Sequence, residues 1–222
     1  MNDSTYGARE AYQDTTVAQR YETSRFSGLT GKFGNWLDRR AVHALLSAHL
    51  SPGARVLDLP AGTGRFLDLL APRYAITGAD VSLEMLGQAR RRSAQVDGAT
   101  FAQADATRLP FATDAFDCVM SIRFLGHLPD DVRRRAFAEM ARVSRAYVLI
   151  EACLNAPIPR ATRRLRRRLT GRRPYLPGQW RWRTFDRDEL FAECEGMGWQ
   201  LVARRPKLWP LSDAWFLLYR VP

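Results

Sequence analysis

From Ala54 to Ala152 the chain repeats one pattern, a short apolar run followed by a polar stretch or a helix-periodic one, and few folds satisfy it. The runs "ARVLDLP", "YAITGAD", "ATFAQAD", "FDCVMSI" and "YVLIEA" have the length and apolar density of strands buried in a sheet. Between them, "SLEMLGQARRRSA" and "DDVRRRAFAEMARVS" carry apolar residues at helical spacing, the first with Ser82 as its N-cap. The glycine turn after the first run predicts a further helix starting near Thr63. Strands alternating with helices imply βαβ units, right-handed crossovers and a parallel sheet. The late helix "DRDELFAECEGMG" is followed by "WQLVARRP" and "AWFLLYRV" with no helix between them, which predicts a hairpin at one edge. The expected fold is α/β: a doubly wound seven-stranded sheet, mostly parallel with an antiparallel C-terminal hairpin strand, in an α/β/α sandwich.

With 222 residues, 46% of them hydrophobic, the chain has material for one good core rather than two. Ahead of the sheet, Trp36, Leu37, Val42, Leu45, Leu46 and Leu50 recur at helical spacing, and "SPG" at 51–53 is a stop signal, so residues 1–50 are expected to form two helices. No run approaches the ~20 apolar residues that cross a bilayer, and "MNDSTYGARE" lacks the apolar core of a secretory signal, so the expected location is cytoplasmic. Cys118, Cys153 and Cys194 stand far apart without CxxC or Cys/His spacing, which argues against a metal site or a disulfide framework and for small buried apolar side chains.

Charge is the unusual part of the composition. Lys and Arg number 34 against 23 Asp and Glu, a formal +11, and Lys32 and Lys207 are the only lysines. Arginine richness spread over a whole chain says little about partners. Its clustering says more: between Asn155 and Thr184 stand ten arginines and no acid, including "RRLRRRLTGRR". Such a segment repels itself unless something anionic docks on it.

"VLDLPAGTGRF", Val56 to Phe66, reads as a strand, a glycine turn and a helix, the place where doubly wound folds bind ligands. Gly62 and Gly64 allow close backbone approach, and the following helix offers free N–H groups. A dinucleotide fingerprint needs a third glycine where Leu67 stands, and a P-loop needs Gly-Lys-Ser/Thr, which is missing. Asp58, just before the turn, repels a pyrophosphate and welcomes a cation. Asp80 and Asp105 close the next two strands. Three acids at successive strand ends suit an adenosine with a positively charged amino-acid tail.

On "VLDLPAGTG", "GADVSLEML", "QADATRLPF" and "FDCVMSIRFLGHLPD", in that order, the chain resembles the class I S-adenosylmethionine-dependent methyltransferases of the small-molecule type, with a Rossmann-like sheet. The resemblance extends in organisation from about Val17 to the C-terminus. It implies S-adenosyl-L-methionine as cofactor and S-adenosyl-L-homocysteine as product. By the same resemblance Asp58, Pro60, Ala61, Gly62 and Gly64 shape the methionine pocket and Asp80 holds the ribose hydroxyls. Val81 and Met85 flank the adenine, Asp105 accepts its exocyclic amine with Ala106 beside it, and Ser121 lines the pocket. Pro60 stands where a glycine is usual and is compatible with a chain leaving a strand. The N-terminal helices of 1–50 would cap the cofactor site, with Tyr12, Tyr21 and Arg25 as contributors, and 51–222 would form the methyltransferase domain.

Methyl transfer from a sulfonium is an in-line displacement in which the protein mainly positions and desolvates the nucleophile. His127, in "GHLPDD", is the candidate general base, or else packs the following helix; Arg123 is the candidate binder of an acceptor anion, or else pairs with a rim acid. In relatives the Arg-rich insertion, 155–184, often forms a lid over the acceptor. Arginine pairs two-pronged with phosphate or carboxylate, and Leu165 and Leu169 among arginines suit an anionic membrane surface through 160–173. The expectation is a small, anionic or lipid-linked acceptor, with peripheral contact at the inner membrane surface. An RNA methyltransferase, with Trp180, Trp182 and Phe185 stacking bases, and a non-catalytic binding protein are the alternatives. Oligomeric state is not readable.

Overall fold

The computed structural model describes residues 28–94, 98–155 and 183–222. Helix α1, Leu29–His49, is followed by β1, Arg55–Asp58, a one-turn helix α2, Leu67–Leu70, and β2, Ala75–Asp80. Then come α3, Leu83–Arg92, β3, Ala99–Gln103, β4, Phe116–Ser121, a single 3-10 turn at Leu125–His127, and α4, Asp130–Val143. The chain closes with β5, Ser144–Cys153, α5, Arg187–Gly196, β6, Gln200–Pro206, and β7, Ala214–Arg220.

The seven strands lie in the order β3-β2-β1-β4-β5-β7-β6. Strands β1 to β5 pair in parallel, while β7 inserts antiparallel between β5 and β6. This is the doubly wound, Rossmann-like sheet, and the reversal of strand order falls between β1 and β4. The carboxyl ends of those strands therefore open a crevice where ligands bind in such sheets.

Alternation along each strand feeds two cores. On one face Val56, Cys118, Met120, Leu149, Phe216 and Leu218 pack against Val42, Leu45 and Leu46 of α1. On the other, Leu57, Val119, Val148, Ile150 and Tyr219 meet Phe137 and Met140 of α4 and the buried Trp199. The Phe137 and Trp199 rings lie 5.0 Å apart, worth about 0.5–1.5 kcal/mol beyond their burial.

One local expectation is corrected. The helix expected from Thr63 begins at Leu67 and has four residues, because residues 62–66 are taken up by consecutive turns. Helix α4 runs straight into β5: it ends at Val143 and the strand starts at Ser144, whose hydroxyl donates to the Tyr147 carbonyl at 2.6 Å. Pro60 follows a cis peptide bond. Ser82 caps α3 as expected, accepting from the Met85 N–H at 3.2 Å.

Candidate functional site

The carboxyl edge gathers the acids that close β1 and β2. Asp80 is buried, and its Oδ2 accepts from the Gly62 N–H and its Oδ1 from the Ser82 N–H, each at 2.9 Å. It thus ties the glycine turn to β2, and what remains for ribose hydroxyls is the second lone pair on each oxygen. Burial pushes the Asp80 carboxyl above its ordinary range against the pull of the Ser82, Gly62 and Val81 amides. Asp58 is more exposed to that penalty. Its Oδ2 has no hydrogen-bond partner among the described residues, and burial pushes its carboxyl up to about 8, with Arg65 pulling down and Asp80 adding to the rise. A buried carboxylate in this state calls for a cation.

The two glycines divide the work of the turn. Gly62 has φ +54°, and a Cβ there would meet nothing within 4 Å, so its bare backbone faces open space. Gly64, at φ +73°, is different: a Cβ would come within 2.5 Å of Leu67 Cδ1 and 3.1 Å of the Ala89 backbone. Its missing side chain serves the packing of the turn on α3. Gly78 of β2, which opens "GADVSLEML" and was given no role, leaves room for Ala61, whose Cβ would lie 3.1 Å from a Cβ at 78.

Asp105 lies just past β3, where the Thr107 N–H and hydroxyl donate to its Oδ1 at 2.9 and 2.8 Å. Ala106, Met85 and Ala61 are buried, and Val81 is half-buried with its carbonyl accepting from Gln103 Nε2 at 3.1 Å. Ser121 at the end of β4 is fully buried with its hydroxyl unpartnered among the described residues. His127 is half-buried in the 3-10 turn. Tyr12, Tyr21 and Arg25 lie outside the described residues, as does the Arg-rich segment between Asn155 and Arg183. The two ends of that segment meet at the carboxyl end of β5: the Phe185 N–H donates to Cys153 O at 2.7 Å, and the Arg183 N–H donates to Gly126 O at 3.0 Å.

A charged cluster that no motif announced sits between α1 and the sheet. Asp38, fully buried, is met by Arg65 at 2.9 Å, Arg123 at 3.2 Å and Lys207 Nζ at 2.6 Å. Arg123, at φ 58°, therefore pairs with an acid of α1, a partner that neither role expected for it named. Glu151 of β5 is buried beside the cluster. Its Oε2 has no hydrogen-bond partner among the described residues, and burial, then the Asp38 charge, push its carboxyl up against the pull of Arg123, Arg65 and Lys207. The cluster is drawn from α1, the glycine turn, the loop after β4, β5 and the loop after β6, so no sequence window contains it.

Cys118 and Cys194 are buried, and burial pushes both thiols up; among the described residues no group of His, Cys, Asp and Glu is placed to hold a metal.

Residues 56–146, the span from β1 into the start of β5, match the family model described as a methyltransferase domain. Those residues form a methyltransferase domain. Among curated proteins the chain is 37% identical over 148 residues to the demethylmenaquinone methyltransferase of Mycobacterium sp. (strain KMS), covering 65% of this chain and 59% of that one. It is 35% identical over 130 residues to the methyltransferase GfsG of Streptomyces halstedii, covering 51% and 46%. It is 37% identical over 103 residues to the phosphatidylethanolamine N-methyltransferase of Cereibacter sphaeroides, covering 45% and 50%. The chain thus spans about half the length of these relatives. Among solved structures, the magnesium protoporphyrin IX methyltransferase of Synechocystis with bound SAH superposes with a TM-score of 0.74 at 15% identity, over 97% of this chain and 98% of that one, which establishes the fold.

Proposed function

We propose that this methyltransferase domain transfers a methyl group from S-adenosyl-L-methionine to a small organic acceptor that is lipid-linked or anionic. The observation that carries the cofactor assignment is Asp58: a buried carboxyl at the mouth of a glycine turn, its Oδ2 without a hydrogen-bond partner among the described residues, fitted to an ammonium and hostile to a phosphate. The residues present suit the cofactor. Asp58 would take the ammonium of the methionine tail, the open backbone at Gly62 would let that tail pass, and Asp80 and Asp105 would receive ribose and adenine. When bound, the cofactor supplies an electrophilic methyl on a sulfonium. The protein's own part is to hold that end between β1 and β4 and to keep water out with buried side chains.

The acceptor class rests on three supports. Two relatives are named for lipid substrates, a phosphatidylethanolamine and a demethylmenaquinone. The Arg-rich segment leaves and returns at the carboxyl end of β5, beside the site, and carries no acid. A cleft of about 410 Å³ opens there too, with Phe191, Trp209, Trp215 and Leu154 on its walls to receive an apolar moiety. Among the described residues no helix is long and apolar enough to cross a membrane, so contact with a bilayer would be peripheral, through 160–173.

Calorimetry with S-adenosyl-L-methionine and S-adenosyl-L-homocysteine is the test: binding of both is expected, and binding of neither ends the proposal in favour of a non-catalytic protein of this fold. Sedimentation with vesicles of phosphatidylcholine and phosphatidylglycerol against tRNA binding, each over a salt series, tests the acceptor class. Salt-sensitive vesicle association with weaker tRNA binding is expected; the reverse favours an RNA substrate.

A further inference from the structure

We propose that Glu151 is the acceptor-side carboxyl of the site, receiving the O–H or N–H of the group that is methylated, so that the acceptor is a protic nucleophile. The inference rests on the methyltransferase reading and names the partner of its second half.

The placement follows from the sheet. Asp58 is level with Met120, and Met120 with Leu149, so Glu151 stands two strands across and two residues further along. At strand spacings of ~4.8 Å and rises of ~3.3 Å, the two Cα atoms are roughly 12 Å apart. Both side chains belong to the face that packs on α1, since Val56 and Leu149, each two residues before them, lie in that core. Arg65 acts electrostatically on both acids, so they share one charged neighbourhood. Asp80 and Asp105 mark the adenosine side of the crevice, over β2 and β3, and Asp58 marks the ammonium over β1. The strands that continue in the same direction are β4 and β5, so Glu151 stands on the side of Asp58 away from the adenosine acids, the side on which the acceptor would meet the methyl.

The chemistry of Glu151 agrees. It is 3% exposed, yet Oε2 has no hydrogen-bond partner among the described residues, although Asp38, Arg65, Arg123 and Lys207 act on it electrostatically. The three cations each pair with Asp38, and the Glu151 oxygen is able to take a donor from outside the chain. A buried polar atom in this state is destabilising until a donor completes it. In the transfer step the acceptor's lone pair forms the new bond to the methyl carbon and the carbon–sulfur bond breaks, its electrons remaining on sulfur as the thioether. The acceptor's proton passes to the ionised Glu151 carboxylate and from there to solvent.

Sinefungin tests this without knowledge of the acceptor, because it carries a primary amine where the cofactor carries the transferred methyl. S-adenosyl-L-homocysteine has the same tail and no such group. The wild type is expected to bind sinefungin at least tenfold more tightly than S-adenosyl-L-homocysteine. Glu151→Gln should lose that advantage and leave S-adenosyl-L-homocysteine affinity within about twofold. An undiminished advantage in the variant overturns the assignment, as does a parallel loss for both ligands. Should the variant fail to fold, the wild type decides: sinefungin bound no more tightly than S-adenosyl-L-homocysteine overturns it. No binding of S-adenosyl-L-homocysteine by the wild type removes the methyltransferase reading itself, a distinguishable failure.

Discussion

Asp58 ties cofactor binding to pH. Burial pushes its carboxyl up to about 8, so at pH 7 about nine-tenths of the free protein holds a proton there. An ammonium paired with Asp58 requires the ionised form, so binding must expel close to one proton at pH 7. The association constant should then rise about tenfold per pH unit between 6 and 7.5 and level off near pH 8, making affinity at pH 6 roughly 100-fold below the plateau. Titration calorimetry of S-adenosyl-L-homocysteine in buffers of different ionisation enthalpy reads both quantities. In Asp58→Asn the proton release and the slope should vanish together. Affinity at pH 8 should fall about 10- to 100-fold, the worth of a hydrogen bond to a charged group at roughly 1.5–3 kcal/mol. A wild-type affinity that is flat from pH 6 to 8 with no proton exchanged would refute the reasoning, because an ammonium cannot leave a buried acid protonated.

The two glycines of the turn should separate in their variants. Gly64→Ala meets Leu67 and the Ala89 backbone and keeps a positive φ, so it should cost about 2 kcal/mol or more in denaturant melts; Gly62→Ala should cost about 1 kcal/mol for its φ alone while weakening S-adenosyl-L-homocysteine binding at least tenfold. Asp38→Ala strands Arg65, Arg123 and Lys207 together without their anion and should lower unfolding free energy by about 3–5 kcal/mol, measured by urea denaturation; a loss under 1 kcal/mol would mean that solvent reaches the cluster.

The order of elements was readable because a sheet buried on both faces demands apolar runs, and such runs are visible one segment at a time. Asp58 and Asp80 were readable as acids of the carboxyl edge for a related reason, since the acid that ends an apolar strand marks where the strand leaves the core. The roles within the turn were not. Whether a glycine frees space for a ligand or for Leu67 and Ala89 depends on the packing of α3, which lies outside the motif. The pairing of Arg123 with Asp38 was not readable because the two are 85 residues apart, and Asp38 looks like any acid of an exposed helix turn. Only the docking of α1 on the sheet buries Asp38, and only that burial recruits Arg65, Arg123 and Lys207. Glu151 was hidden by the opposite effect, inside a run read as an ordinary strand.

Asp58 and Ser121 close β1 and β4, Glu151 stands two residues before the end of the adjacent β5, and each keeps one buried polar atom without a partner among the described residues. A fold that leaves such atoms in the crevice is less stable empty than filled, and Asp58 shows how to measure it. Its folded carboxyl titrates near 8 and its unfolded one near 3.8, so between those values the folded state holds the extra proton. The stability of the free protein must therefore decline as pH rises through that window, by about 1.4 kcal/mol per pH unit from this group, and level off above pH 8. Asp58→Asn carries no such cost: its advantage over the wild type in melting temperature should be absent near pH 4 and greatest near pH 8. The same variant should gain less from ligand, since S-adenosyl-L-homocysteine at 100 times its dissociation constant stabilises the wild type by about 2.7 kcal/mol and the weaker complex by less. A variant less stable than the wild type at pH 8 would show that Asp58 holds the turn together on its own account, as Asp80 does, and that the cation it was assigned to is not what keeps it there.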